Sequence, residues 1–207
     1  MRVAIVGGTG SFGLALARRL AAAGYDVVIG SRDAGRAAQA AAGIGRVTGA
    51  ANADACRDAD LVVLATKAEA AVETARELRE AIGSTPVLSV AAELTFGPNG
   101  VLPPPEATSV AARVQDVVEA PVIAGLHSLA ARNLGRDEPP EEDALVCGDD
   151  AEAKAIVLEL AERITAGRAV DCGPLGCARA LEGLTAVIVN VNKRYKAHAG
   201  VRLSGIP

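Results

Sequence analysis

Two short groups of residues could do chemistry together. The first is Gly8-Thr9-Gly10-Ser11-Phe12-Gly13, a match to G-x-G-x-x-G. The second is Ser31-Arg32, with Arg36 one helical turn further on. Glycines at this spacing suit a dinucleotide. Gly8 is expected to allow a tight turn, Gly10 to admit a pyrophosphate, and Gly13 to let a helix pack close to a strand. Free amides at the helix start would then face the phosphate oxygens. An NAD site usually carries Asp or Glu about 20 residues past the turn, to bond the ribose hydroxyls. This chain has Ser31 and Arg32 there instead. An acid would repel a 2′-phosphate, whereas a guanidinium fork would hold one. The reading is NADP(H) rather than NAD. Asp33 could compete for Arg32 or Arg36, and a solvated arginine or a glycine turn that binds nothing are the bland alternatives.

The elements that must position these groups follow from apolar periodicity. Residues 2–7, 26–31, 60–66 and 85–92 read as buried strands, and 46–50 as a weak one. Helices are expected over 11–23, with Arg18 and Arg19 outward, and over 33–42 and 68–82. A short helix at 52–59 has Asn52 as its plausible cap. Strand–helix alternation of this kind gives a Rossmann-type, doubly wound parallel α/β sheet. Beyond residue 92 the pattern loosens. A proline-rich loop spans 93–109, followed by a helix at 109–119 and a strand at 121–128. A strand at 144–150 precedes a helix at 151–164, which Asp149 or Asp150 would cap. A last strand at 167–175 leads into a long helix at 175–195, apolar over too much of its circumference for a surface element. It is expected in the core or at the interface of a homodimer. The chain thus reads as a dinucleotide-binding domain, 1–125, and a smaller α/β segment, 126–207, ending in that helix. His127 falls at the carboxyl end of a predicted strand, where open α/β sheets bind ligands.

Composition narrows the class. The 207 residues are 50% hydrophobic but only 2% aromatic, so aliphatic side chains must build the core. A net charge of −4 and the lack of a basic stripe argue against nucleic acid or a membrane surface as partner. No apolar run reaches the roughly 20 residues of a membrane span, and the first strand begins too early for a signal peptide. The expected location is the cytoplasm. Cys56, Cys147, Cys172 and Cys177 form no C-x-x-C, and His127 and His198 are not spaced as metal ligands, so no metal is expected. Buried reduced thiols are the simple reading, and a Cys172–Cys177 redox pair is the alternative.

Four stretches together resemble a known family, the NADPH-dependent reductases of coenzyme F420, an 8-hydroxy-5-deazaflavin. They are VGGTGSFGLALARRLAAAGYDVVIGSRD, LHSLAAR around His127, LVCGDDAEAK, and VDCGPLGCARALEGLTAVIVNVNKRYKAHAGVRLSG. The first is shared with many NADP enzymes, while the last two are more specific. The resemblance implies an oxidoreductase that moves a hydride between the nicotinamide and the deazaflavin. It places Thr9, Gly10, Ser11 and Phe12 at the pyrophosphate and Ser31, Arg32 and Arg36 at the 2′-phosphate. Ala68, Ala92 and Ala131 would line the rest of the NADP site. His127 and Leu129 would lie beside the deazaflavin, His127 orienting it through a hydrogen bond, with Ala199 in the tail closing on the ring.

The departures cluster on one side. Lys67 and Ala68 stand where the family has a proline and an aromatic residue. Val90 replaces a proline after Ser89, and Ala130 replaces one after Leu129. These positions flank the two reacting rings, not the phosphates. Lys67 could contact an anion or simply carry a solvated amine. An NADP-dependent reductase of another small molecule and a non-catalytic NADP(H) sensor are the alternative functions.

Overall fold

In the computed structural model, residues 1–103 and 108–206 are described. Residues 104–107 of the expected proline-rich loop fall outside them. The chain begins β1 (Arg2–Val6), α1 (Ser11–Ala22), β2 (Asp26–Ser31), α2 (Ala34–Ala41), β3 (Val47–Ala51) and α3 (Asn52–Cys56). Next come β4 (Leu61–Leu64), α4 (Ala68–Ile82) and β5 (Val87–Ser89). The second half contributes the hairpin β6 (Thr95–Gly97) and β7 (Gly100–Leu102), then α5 (Val110–Gln115) and β8 (Val122–Gly125). It closes with α6 (Ala131–Leu134), β9 (Ala144–Gly148), α7 (Ala151–Ile164), β10 (Ala169–Asp171) and α8 (Ala178–Tyr195).

One eight-stranded sheet, in the order β10-β9-β8-β5-β4-β1-β2-β3, organises the described residues. Apolar side chains fill both faces of its centre: residues 3–6 and 61–64 are wholly buried. This is why those strands read as unbroken apolar runs rather than alternating ones. One core layer packs α1, with Leu16 and Leu20, against Ile5 and Ile29. The other packs α4 and α5, through Ala71, Ala75 and Val114, against Val62 and Leu64.

The sheet is parallel from β3 to β8, but β9 runs antiparallel to β8, pairing Gly125 with Val146 and Ile123 with Gly148. A parallel return would need a full crossover helix. The connection 126–143 holds only the four-residue α6. The chain therefore turns back at the end of the sheet where β8 finished. β10 pairs in parallel with β9.

Several local expectations are corrected. The 93–109 stretch contains the β6–β7 hairpin, which Asn190 of α8 anchors through both amide groups to the Val101 backbone, at 2.8 and 2.6 Å. Asn52 is the first residue of α3 rather than its cap, and Ala51 precedes it without a side-chain cap. Arg19 points inward and is 5% exposed. Its guanidinium donates to the carbonyls of Leu134, Arg136, Asp137 and Glu138, tying α1 to the segment after α6. Among the two acids proposed to cap α7, Asp150 accepts from the Ala153 amide at 2.8 Å, while Asp149 accepts from Leu175. α8 is neither fully buried nor polar outside. Leu181, Glu182, Ala186 and Ile188 face inward, while Val187, Val191 and Tyr195 are exposed.

Candidate functional site

Strand order reverses between β1 and β4, and a cleft of about 750 Å³ opens beyond their carboxyl ends. Such a switch point is where open α/β sheets hold ligands, and the volume lies within the roughly 300–1,000 Å³ of small-molecule sites. Of the residues expected at the phosphates, Thr9, Gly10, Ser31, Arg32 and Arg36 line it, while Gly8, Ser11, Phe12 and Gly13 do not. Gly7, Asn52, Thr66 and Lys67 also line it and were not part of that pattern. Asn52 and Thr66 follow the ends of β3 and β4, so the position rule alone could have found them.

The glycine turn divides its tasks differently from the expectation. Gly7, not Gly8, adopts the left-handed conformation, with φ +77°. A Cβ there would also meet Thr66 Cγ2 at 2.9 Å. Gly8 is not left-handed, and a Cβ on it would stand 2.8 Å from the Ile5 carbonyl. Gly13 has the role assigned to it, since a Cβ would approach Gly8 Cα to 2.7 Å. Gly10 meets only the Gly7 carbonyl, at 3.5 Å. Nothing else crowds Gly10, which is exposed at the start of α1. No side chain caps that helix start, or the start of α4 at Lys67.

Charge on the far wall is available. Arg32 and Arg36 are exposed, and neither has a carboxylate within 4 Å among the described residues. Asp33 does not compete for them: its Oδ1 accepts from the Arg36 backbone amide at 3.1 Å and caps α2. Lys67 has 85% of its side chain exposed and lies 3.9 Å from Glu69. Asn52 Oδ1 and Thr66 Oγ1 are buried with no partner, two polar atoms on the cleft wall ready for a ligand. A dinucleotide phosphate fits the arginines and the uncapped amides at the start of α1, and the open face of Gly10 gives it room. Asn52 Oδ1 can only accept, and suits a ligand O–H or N–H.

Ala68, Ala92, Ala131, His127, Leu129 and Ala199 do not line that cleft. Hydrogen bonds link several of their segments into a second group. His127, 6% exposed, follows β8. Its Nε2 lies 3.2 Å from the Ala91 carbonyl, and since a carbonyl only accepts, Nε2 carries the proton. Nδ1 is then a bare acceptor, buried and unpartnered. Burial pushes the imidazole pKa down to about 4, so the ring is neutral near pH 7. The preceding Leu126 is held at φ +66°, an uncommon conformation for a residue with a side chain. Thr185 of α8 donates to the His127 carbonyl at 3.5 Å, and Asn192 of α8 accepts from the Ala199 amide at 2.6 Å. Asn133 Nδ2 reaches the His198 carbonyl at 2.8 Å. Ala131 begins α6, and Ala68 begins α4 beside Lys67.

Burial makes three of the thiols poor nucleophiles. All four cysteines are free. Burial pushes Cys56 up to about 11 and Cys147 up to about 12, and it also raises Cys172. No group of three or more His, Cys, Asp or Glu suited to a metal occurs among the described residues. No helix of the described residues is long and apolar enough to cross a membrane.

Comparison with known proteins bears on both groups of residues. Residues 2–93 match the family described as NADP oxidoreductase, coenzyme F420-dependent. A protein of Methanocaldococcus jannaschii named F420-dependent NADP reductase is 35% identical over 223 aligned positions, covering 100% of this chain and 99% of its own. One of the same name from Methanothermobacter thermautotrophicus is 36% identical, covering 100% and 96%. A crystal structure from Arthrobacter sp. FB24, assigned provisionally as an F420-dependent NADP-reductase, superposes with a TM-score of 0.85 at 26% identity. It covers 99% of this chain and 100% of that one.

Proposed function

The chain belongs to the family of F420-dependent NADP reductases, and on that premise we propose how its residues divide the work. It is an oxidoreductase that transfers a hydride between NADP(H) and coenzyme F420. The observation that carries this reading is the length of the likeness: the relatives align over the whole of this chain.

In this reading the 1–125 segment binds NADP(H). Amides at the start of α1, with Thr9, Gly10, Ser11 and Phe12, hold the diphosphate beside Gly8 and Gly13. Ser31, Arg32 and Arg36 hold the 2′-phosphate, and the arginines exclude NADH by leaving their charge unmet when that phosphate is missing. Ala68, Ala92 and Ala131 border the nicotinamide end. The 126–207 segment completes the deazaflavin site with His127, Leu129 and Ala199. His127 orients: with Nε2–H committed to Ala91, only Nδ1 is free, and it accepts a hydrogen bond from an N–H or O–H of the second substrate. A neutral imidazole with a pKa near 4 is a poor general acid at pH 7. The bound nicotinamide and deazaflavin supply the hydride chemistry, while the protein stacks the rings and excludes water.

The same reading places the protein in the cytoplasm, where its four free thiols stay reduced. It also makes the protein a homodimer. Val187, Val191 and Tyr195 on α8 and Phe96 and Leu102 on the adjoining hairpin are exposed apolar residues on packed neighbours. A patch of that kind marks an interface, and sedimentation of wild type against a Val187→Lys variant checks it.

The direct test is rapid mixing with NADPH and oxidised coenzyme F420 while deazaflavin absorbance is followed. The expected result is bleaching with NADPH, little with NADH, and weakened turnover in Arg32→Ala. NADPH binding without bleaching would keep the dinucleotide site. It would assign Lys67, Ala68, Val90 and Ala130 to a different second substrate.

A further inference from the structure

The C-terminal segment 198–206 is fixed along its length by two consecutive buried acids, Glu142 and Asp143, which are 8% and 0% exposed. Asp143 Oδ1 accepts from the Arg168 amide and Nε, at 3.0 and 3.3 Å. Its Oδ2 accepts from Arg168 Nη2 and from the Leu203 amide, both at 2.7 Å. The Asp143 amide donates to the Val201 carbonyl at 2.8 Å. Arg168 extends the hold, donating to the carbonyls of Leu203 and Ile206. Beside it, Gly200 lies so close to Glu142 that a Cβ would stand 1.8 Å from Glu142 Cγ.

The same two acids also grip the loop that carries His127. Ser128 Oγ donates to the Asp143 carbonyl at 2.7 Å, one residue from His127. Asn133 Nδ2 donates both to Glu142 Oε1 and to the His198 carbonyl. Every member of this network lies near the end of the sheet where β8 stops, because the reversal of β9 brings Asp143 back there, and β10 starts level with β9.

We propose that Glu142, Asp143 and Arg168 form a clasp that sets the tail 198–203 against the 127–133 loop, and so positions the second-substrate site without touching substrate. The proposal rests on the reading that the second substrate sits between His127 and Ala199. All three are positioning residues. They act through Ser128 and Asn133 on one side and Gly200, Val201 and Leu203 on the other. The clasp residues do not line the phosphate cleft, and of the residues assigned to NADP(H) only Ala131, at the nicotinamide end, lies on the gripped loop.

The test uses the full chain with Asp143→Asn, Arg168→Lys and Gly200→Ala. Gly200→Ala keeps every buried charge and forces the tail and the Glu142 side chain apart, so it serves if Asp143→Asn fails to fold. The NADPH dissociation constant is expected to change far less than the deazaflavin KM, because the phosphate cleft lies outside the gripped loop. The KM for the deazaflavin should rise on the order of tenfold to a hundredfold in Asp143→Asn and Gly200→Ala, and less in Arg168→Lys, which keeps the charge. Hydrogen exchange should speed up together in residues 127–133 and 198–206. Equal losses for both substrates, or a loosened tail beside an unchanged 127–133 loop, would overturn the clasp. Failure of the wild type to reduce coenzyme F420 would refute the function instead, and hydrogen exchange would still decide the clasp.

Discussion

Residues 6–36 assemble the phosphate side of the cleft from one continuous stretch: strand, glycine turn, helix, strand and the arginines beyond it. The proposed second-substrate side is gathered from the ends of β5 and β8, from α8 and from the tail, segments far apart in sequence. The first is open and charged, with exposed Arg32, Arg36 and Lys67. The second is buried at its centre, with His127 uncharged and the buried Asp143 carboxylate paired with a part-exposed Arg168. A local, solvated site can lose one residue without disturbing the next. A site made of long-range contacts transmits any loss along its network. The contrast predicts that mutations on the two sides will differ in kind as well as in size.

The largest effect belongs to the charged side. Each charge-assisted bond to a phosphate contributes about 1.5–3 kcal/mol, so Arg32→Ala with Arg36→Ala should weaken NADPH by at least roughly a hundredfold. NADH binding and the thermal midpoint should stay level, and a fluorescence titration beside a melting curve checks all three. Equal losses for NADH would break the assignment of these arginines to the 2′-phosphate.

The buried side should answer to pH. An unfolded histidine titrates near 6.5, whereas burial holds His127 near 4 in the folded protein. Between those values the unfolded state binds more protons, so stability falls as pH drops through the window and is flat above it. The span is about 3 kcal/mol. Urea unfolding at a series of pH values should show this slope, and His127→Gln should remove it. Asp143 works in the same sense on the same side, but in a more acidic window. Arg168 and the Leu203 amide hold its carboxyl well below the usual range, so its stabilisation is present above the ordinary carboxylate pKa and is lost only in stronger acid.

Within the turn, two glycines separate folding from binding. Gly13→Ala forces a Cβ against Gly8 Cα and should cost about 1–3 kcal/mol of stability, read as a lower melting temperature. Gly10→Ala has room in the folded chain, and should melt like wild type while binding NADPH less well. A lower melting point for Gly10→Ala would show that its openness serves packing and not a ligand. The smallest effect is expected at Lys67. An exposed amine contributes less than about 1 kcal/mol, so Lys67→Ala should weaken NADPH and NADH alike by a few-fold at low salt and less at high salt. No change at any salt concentration would make it a solvated residue.

The amino-acid sequence by itself determined the β1–α1–β2 unit, the glycine turn and the Ser31-Arg32 pair. These rest on local periodicity and on short-range sterics that any sequence window contains. It also carried the likeness that led to the deazaflavin. Some details within that window needed three dimensions. The left-handed turn falls at Gly7, where Ala65 and Thr66, just past β4, leave no room for a Cβ. Arg19 faces inward because the carbonyls after α6 lie over α1, a contact with no periodic signature. The proline-rich stretch became a hairpin because Asn190, far along the chain, supplies its anchor. Above all, only the tertiary structure decided the direction of β9. No residue of 144–148 encodes it; the short connection before it does, by leaving too little helix to cross the sheet. That reversal keeps 126–143 at the ligand end and brings Asp143 and Arg168 within reach of the tail. It turns scattered residues into one site.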